Sequence, residues 1–216
     1  MRVTIIGGHG KIALLLAPML VEAGHEVTSV IRNPEHVADV EATGATALVS
    51  SVEDADVHVL ADVLSGQDAV VWSAGAGGGD PERTYAVDRD AAIRSMDAAQ
   101  NAGVGRYVMV SFSGANHDSL VPEDNAFRPY QDAKIAADEH LRASGLDWTI
   151  LGPGSLTLEP GRGSVNPAAR FGQGDTTSRE LVAQVALAVL ADPRAHRKTL
   201  VFGDGDVPIE DWLASL

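Results

Sequence analysis

Residues 2–13 read RVTIIGGHGKIA: a β-branched run, a cluster of glycines and the start of an apolar helical stretch. This order predicts a strand, a tight loop and a helix. Glycines let a backbone approach a pyrophosphate closely, and a helix N-terminus adds unpaired N–H groups and the positive end of a dipole. We therefore expect the loop to bind a dinucleotide; the alternative is that its glycines only permit tight strand-to-helix packing. The expected cofactor contacts are Gly7, Gly8, His9, Gly10, Lys11 and Ile12.

The spacing within this loop excludes a nucleoside triphosphate loop of the GxxxxGK[ST] type. If Gly10 and Lys11 formed its Gly-Lys pair, the first glycine would fall on Ile5 and the hydroxyl residue on Ile12. Both positions carry isoleucine, so the pattern fails twice.

The rest of the chain alternates short β-branched runs with Ala- and Leu-rich stretches of helical length, which is typical of β-α units around a parallel sheet. Strands are predicted at 2–6, 26–31, 45–49, 69–72, 106–110 and 148–151. Helices are predicted at 11–23, 34–43, 55–64, 84–102 and 129–144. Pro18 should kink or weaken the first helix unless its backbone bends. We expect an α/β fold of the Rossmann type, a doubly wound parallel sheet with helices on both faces, in a single domain over residues 1–216.

A segment rich in glycine and proline, 152–180, precedes a last apolar helix at 180–190 and a strand near 199–202. Ligands of open α/β folds bind outside the carboxyl ends of the strands. We therefore predict that 152–180 is a small C-terminal lid or substrate region over that edge, too short to be a separate domain.

Composition narrows the classes of partner. Sixteen basic against 30 acidic residues give a net charge of −14, which repels phosphate backbones and anionic lipid, so we expect neither nucleic acid nor membrane partners. The sequence has no spanning apolar run and no signal-peptide pattern, so a cytoplasmic location is expected. There is no cysteine, and the seven histidines lack metal-ligand spacing, so no metal site is expected. A Gly-x-Ser-x-Gly elbow is also missing, which disfavours a serine hydrolase.

The end of the second predicted strand decides which cofactor is expected. Dinucleotide sites that select NAD usually place an acid there to bind the ribose 2′-hydroxyl, but residues 28–34 read TSVIRNP. Arg32 offers a planar cation suited to a 2′-phosphate. NADP(H) is therefore favoured over NAD; the alternative is that Arg32 is an ordinary surface charge.

Three residues are candidates for the chemistry. Tyr130 and Lys134 lie four apart on a predicted helix and can face one site. A neighbouring ammonium favours the phenolate, so Lys134 is expected to lower the pKa of Tyr130 and make it a tuned proton donor; the alternative is that both residues only pack. A hydroxyl to polarise the substrate oxygen is expected from the strand end at 111–113, and Ser113 is preferred over Ser111.

These motifs together resemble the short-chain dehydrogenase/reductase superfamily, in its atypical, NmrA-like, single-domain NAD(P)H-binding branch. The resemblance covers nearly all of residues 1–210. The segments that carry it are 7–13, 73–75, 87–90, 111–113, the Tyr130/Lys134 pair and 146–154. Two departures concern substrate and adenine contacts: Gly152 stands where relatives commonly carry arginine, and Ser51-Val52 stands where they carry Asp-Leu.

The resemblance implies specific roles for the matching residues. The loop at 7–13 would hold the pyrophosphate, Lys134 would bond the nicotinamide ribose, and Tyr130 would give or take the proton. Further cofactor contacts implied by the matching segments are Ser73, Ala74, Gly75 beside the adenosine ribose, Ser111, and Pro153, Gly154, Ser155 beside the nicotinamide.

Two classes of function remain open. One is an NADP(H)-dependent oxidoreductase that transfers a hydride between nicotinamide and a small carbonyl or alcohol, with an epimerase or dehydratase holding NAD(P) tightly as a variant. The other is a redox sensor that binds NAD(P)H and regulates a partner without turnover. The expected ligand is a small-molecule substrate in the first class, and the chain is expected to be a monomer or a homodimer.

Overall fold

A computed structural model describes residues 1–78 and 80–216. Its strands are β1 (Arg2–Ile6), β2 (Glu26–Ile31), β3 (Thr46–Val49), β4 (Ala69–Trp72), β5 (Arg106–Val110), β6 (Asp147–Pro153), β7 (Ser155–Thr157), β8 (Ser164–Asn166), β9 (Thr176–Ser178), β10 (Lys198–Asp204) and β11 (Val207–Pro208). Its α-helices are α1 (Lys11–Glu22), α2 (Val37–Glu41), α3 (Val57–Leu64), α4 (Pro81–Thr84), α5 (Ala92–Asn101), α6 (Arg128–Ala143), α7 (Arg179–Leu190) and α8 (Ile209–Ala214). A π-helix, Tyr85–Ala91, joins α4 to α5, and 3-10 turns lie at Pro34–His36, His117–Ser119 and Pro193–Ala195.

The main sheet confirms the predicted fold class. Within the described residues its strand order is β11-β8-β10-β6-β5-β4-β1-β2-β3. Seven neighbouring strands of this order pair in parallel: β10, β6, β5, β4, β1, β2 and β3. Strands β8 and β11 add an antiparallel edge beside β10. After β3 the chain crosses to β4 on the other side of β1, so the strand order reverses between β1 and β4. Ligands of such sheets bind in the crevice outside the carboxyl ends of the strands at this point.

The core consists of two apolar clusters, one on each face of the sheet. Side chains along a strand alternate between faces, so Val3 and Ile5 join one cluster and Ile6 joins the other. The first cluster packs under α1 and α7, and the second under α3 and α5. Burial on both faces holds the carboxyl ends of the strands in place and gives the crevice a rigid floor.

Several elements differ from their predicted forms. Pro18 lies inside α1 without ending it, because Pro18 faces solvent while Leu16 and Leu20 on the same helix are fully buried against the core. The predicted helix at 84–102 corresponds to the last residue of α4, the π-helix and α5. In 152–180 the chain forms three short strands, and β7 pairs with β9 as a separate parallel ladder. Among residues 1–78 and 80–216, no helix is both long and apolar enough to cross a bilayer.

Candidate functional site

Two cavities lie side by side along the crevice and share Ser73, Ala74 and Gly75, so they form one groove. The wide cavity has a volume of about 860 Å³ and the narrow cavity about 380 Å³. The wide cavity is lined by Ile12, Ser73–Gly78, Asp80, Pro81, Thr84, Asp88, Val110, Ser111, Glu123, Asn125, Ala126, Phe127, Pro129, Tyr130, Lys134 and Leu156. The narrow cavity is lined by Gly7, His9, Gly10, Val30–Asn33, His36, Ser50–Glu53, Ser73–Gly75, Arg83 and Val87.

The glycine loop passes very close to the backbone of its neighbours. Gly7 has φ of +88°, and a Cβ at this position would lie 2.5 Å from the backbone nitrogen of Ala74. A Cβ on Gly8 would lie 2.5 Å from Cβ of Ser29 on β2. Tight packing, the alternative considered for these glycines, therefore does require both of them. Gly7 and Gly10 also line the narrow cavity, so no side chain projects into the cavity at these two positions.

The N-terminus of α1 has hydrogen-bonding capacity to spare. The helix begins at Lys11 with no side-chain cap and with no acid in its first turn. The first N–H groups of a helix lack intrahelical acceptors, so these groups are available to an anion. Ile12 of this turn lines the wide cavity and Gly10 lines the narrow one. The residues present therefore fit a dinucleotide whose pyrophosphate spans the two cavities.

The narrow cavity contains an ion-pair cluster that no sequence pattern had singled out. The exposed Arg32 approaches Oε2 of Glu53 at 3.3 Å, and Nε of Arg83 approaches the same oxygen at 3.5 Å. His9 and His36 stack at 3.5 Å between ring centroids, and Nε2 of His9 lies 2.9 Å from the Asp39 carboxylate. Two guanidinium groups thus converge on one carboxylate at the end of the groove expected to hold adenosine.

The wide cavity brings together Tyr130, Lys134 and Ser111. Lys134 is only 1% exposed, and its Nζ donates to the backbone oxygen of Val110 at 2.9 Å. Ser113 instead continues the ladder to β6 by donating its N–H to Pro153, and its buried side chain does not line this cavity. The expected preference for Ser113 is therefore reversed by the geometry: Ser111 is the hydroxyl that faces the cavity.

The three residues that were expected beside the nicotinamide, at the end of β6 and just after it, do not line the groove. Pro153 is buried in β6, and Ser155 pairs with Thr176 between β7 and β9. A Cβ on Gly154 would lie 2.5 Å from the backbone oxygen of Asp175, so this glycine permits close packing of the two short strands. Leu156 is the residue of this segment that lines the wide cavity.

The pKa of Tyr130 is raised, whereas a lowered pKa was predicted. Burial raises the pKa of Tyr130, and the carboxylates of Asp88 and Asp138 raise this pKa further. The ammonium of Lys134 donates a hydrogen bond to the backbone oxygen of Val110, and its charge is attracted to the same two carboxylates. The phenol of Tyr130 is therefore held in its protonated form at neutral pH.

Asp138 and Asp88 are buried site residues to which the sequence patterns assigned no role. Oγ of Ser111 donates to Oδ2 of Asp138 at 2.7 Å, while Oδ1 of Asp138 has no hydrogen-bond partner. Asp88 accepts from the N–H of Ala76 at 3.0 Å. A signal for Asp138 was present, since it follows Lys134 by one helical turn and so shares its face of α6.

Burial also changes the acidity of these carboxyl groups. It raises the pKa of Asp138 to about 6, and the Lys134 charge and the Ser111 hydrogen bond only partly oppose this rise. The pKa of Asp88 is likewise raised by burial and partly restored by Lys134. A serine hydroxyl has one proton, and Ser111 uses it in the hydrogen bond that it donates to Asp138. While Asp138 is ionised, the Ser111 oxygen can therefore only accept hydrogen bonds from groups in the cavity.

The raised pKa of Asp138 predicts a pH-dependent stability. An unfolded aspartate titrates near pH ~3.9, so between about pH 4 and 6 the folded protein holds this proton more tightly and its free energy of unfolding falls as pH rises. Asp138→Asn removes this effect. We expect its free energy of unfolding relative to the wild type to increase by about 2 to 3 kcal/mol between pH 4 and pH 7, as measured by urea denaturation. A difference that stays flat over this range would contradict the assignment.

The strand order, the glycine loop at the switch point and the Tyr130/Lys134 pair define a Rossmann-type dinucleotide-binding protein of the short-chain dehydrogenase/reductase kind. Residues 7–193 match the NAD(P)H-binding family, and the chain belongs to that family.

Similar proteins cover the whole chain. A Bacillus subtilis protein named as an uncharacterized sugar epimerase, YhfK, is 35% identical over 218 residues, which is 100% of each chain. The structure of a putative NAD-dependent epimerase/dehydratase from Bacillus halodurans superposes with a TM-score of 0.91 at 31% identity and 100% coverage of both chains. The oxidoreductase ylbE from Lactococcus lactis superposes with a TM-score of 0.87 at 25% identity, covering 100% of this chain and 96% of that one.

Proposed function

We propose that the protein is an NADP(H)-dependent oxidoreductase that reduces a small carbonyl compound to an alcohol, with Tyr130 as general acid. The observation that carries this proposal is that Tyr130 shares the wide cavity with Lys134 and Ser111, and that this cavity continues into the groove beside the glycine loop. Reduction needs a hydride and a proton delivered to one carbonyl, and the groove can bring both sources to the same place.

Each side chain has a role that follows from its surroundings. When bound, the nicotinamide supplies the hydride. Tyr130, whose pKa is raised by burial, keeps its proton at neutral pH and donates it to the carbonyl oxygen as negative charge develops there. Lys134 holds the nicotinamide ribose, and Ser111 accepts a hydrogen bond from an amide or hydroxyl group in the cavity. A protonated phenol suits reduction better than oxidation, because oxidation requires a base.

The test is turnover by the purified protein with NADPH and a panel of aldehydes, ketones and quinones. Consumption of NADPH with a matching amount of alcohol would support the proposal. If no carbonyl compound is reduced while NADPH binding changes association with a protein partner, the sensor function is correct and the enzyme proposal is wrong.

Epimerisation is a second candidate because of the name carried by the Bacillus subtilis relative. An epimerase oxidises its substrate and returns the hydride to it, so the cofactor is unchanged after each cycle. Product analysis distinguishes the two activities. Reduction consumes one NADPH per alcohol formed, whereas epimerisation starts from the NADP⁺-loaded protein and inverts a carbinol centre with no net change in NADP⁺.

Cofactor preference is tested by Arg32→Ala. Arg32 lines the narrow cavity beside His36, and its guanidinium is suited to a 2′-phosphate. A hydrogen bond to a charged group contributes about 1.5 to 3 kcal/mol, so we expect Kd for NADPH to rise about ten-fold or more and Kd for NADH to change by less than about two-fold. Titration of both cofactors measures this. Arg194→Ala, which removes an exposed arginine paired with Asp192, is the control. Equal losses for the two cofactors would remove Arg32 from this role.

A further inference from the structure

We propose that the wide cavity selects carbonyl substrates with a flat apolar body that are neutral or cationic, and rejects anionic ones. This inference rests on the proposed function, because it concerns the substrate of the same site. It follows from two independent features of the cavity, its charge and its aromatic wall.

The charge of the cavity is negative. Asp80, Asp88 and Glu123 line it, and Lys134 is the one basic side chain among its described lining residues. The positive charge of the buried Lys134 already interacts with two carboxylates, those of Asp88 and of Asp138, which accepts a hydrogen bond from Ser111. A substrate carboxylate or phosphate would therefore meet three acids without a free counter-ion. Because Asp80 and Glu123 are exposed, the repulsion should be strongest at low salt.

The aromatic wall consists of four rings, Phe112, Phe127, Tyr130 and Phe171, each of which contacts at least two of the others. Phe112 lies 5.5 Å from Phe127 and 5.2 Å from Tyr130, measured between ring centroids. Phe127 also lies 5.2 Å from Tyr130 and stacks at 6.2 Å on Phe171. Phe127 and Tyr130 line the cavity, and Phe127 remains 37% exposed although it is surrounded by other rings.

This wall suits an aromatic or otherwise planar substrate. Further apolar groups that line the cavity come from Pro81, Ala76 and Leu156, which is 39% exposed. Aromatic faces carry negative potential, so they bind flat apolar bodies by stacking and also attract cations. Both features of the cavity therefore favour the same substrates.

The same features disfavour a nucleotide-sugar substrate. The N-terminus of α1 is expected to hold the diphosphate of the cofactor, so a second diphosphate in the wide cavity would need other partners, such as arginine or lysine side chains with free donors. The arginines of the groove, Arg32 and Arg83, line the narrow cavity and not the wide one. A sugar nucleotide in the wide cavity would have its diphosphate among acids, so the inferred substrate class differs from that of nucleotide-sugar epimerases.

The test compares three benzaldehydes that carry a para-methyl, a para-trimethylammonium or a para-carboxylate group. We expect kcat/KM with NADPH to be at least about ten-fold lower for the carboxylate than for the methyl compound, and the cation to equal or exceed the methyl compound. In the double variant Asp80→Asn, Glu123→Gln the carboxylate should recover about three- to ten-fold relative to the methyl compound at low salt, and less at high salt. Asp211→Asn, an exposed carboxylate on α8, is the matched control and should leave the ratio unchanged.

Equilibrium binding of the same aldehydes to the NADP⁺-loaded protein separates this inference from the proposed function. Binding in the expected order by a protein that reduces no compound of the wider panel of aldehydes, ketones and quinones would refute the oxidoreductase proposal and support the inferred selectivity. Turnover in which the carboxylate equals the methyl compound would overturn the selectivity and leave the oxidoreductase proposal intact. Absence of binding by all three aldehydes would also overturn it.

Discussion

Replacing Tyr130 with phenylalanine is expected to lower kcat for carbonyl reduction by about 100-fold or more, while Kd for NADPH changes by less than about two-fold. The substitution removes only the hydroxyl. The ring keeps its contacts with Phe112 and Phe127, so the aromatic wall is retained. Because the protein would lose its proton donor and not its binding surface, the loss should fall on kcat and leave KM for the aldehyde nearly unchanged.

Two measurements make this prediction specific. Tyr85→Phe is the matched control, because the Tyr85 ring packs under the guanidinium of Arg89 and does not line the groove. That variant should retain wild-type turnover. If Tyr130→Phe turns over at the wild-type rate, another group or water delivers the proton and Tyr130 has no acid–base role.

Gly7→Ala is expected to destabilise the folded protein by about 3 kcal/mol or more. A left-handed conformation costs a non-glycine residue about 1 to 2 kcal/mol, and forcing a methyl group into a packed site costs about 1 to 3 kcal/mol more. The new Cβ would lie 2.5 Å from the Ala74 nitrogen, and backbone cannot rotate away as a side chain can. The loop should also be displaced from the groove, so NADPH binding should weaken.

Gly24→Ala isolates the steric part of this effect. Gly24 has φ of +82°, close to that of Gly7, but a Cβ at Gly24 would meet nothing within 4 Å. Its cost should therefore be about 1 to 2 kcal/mol in urea denaturation, and NADPH binding should not change. Equal destabilisation in the two variants would mean that the contact of Gly7 with Ala74 imposes no constraint.

The parallel sheet could be predicted because its determinants are local. A buried parallel strand is a continuous apolar run, and the strands predicted at 2–6, 26–31, 69–72 and 106–110 have the observed bounds. The pairing of Tyr130 with Lys134 was also local, since four residues make one helical turn. The predicted family and its NAD(P)H-binding character are confirmed by the family match.

The electrostatics of the site could not be predicted because they depend on what the fold buries. The spacing of Tyr130 and Lys134 says nothing of Asp88, which reaches the site from the π-helix, and this carboxylate helps to reverse the expected pKa shift. The sequence alone does not show which of Ser111 and Ser113 lines the cavity. Their different positions depend on their hydrogen bonds to α6 and β6. Glu53 accepts a hydrogen bond from Arg32, from which it is separated by 21 positions in the sequence, and no short motif covers such a separation.

The narrow cavity and the aromatic wall of the wide cavity are formed by different parts of the chain. The described residues around the narrow cavity all fall between Gly7 and Val87, whereas the aromatic wall and its neighbours come from positions between Phe112 and Phe171. Substitutions at Phe112, Phe127 and Phe171 would therefore change the aromatic wall without altering any residue that lines the narrow cavity. We therefore expect these three phenylalanines to be the first positions to redesign when a substrate of another shape is sought.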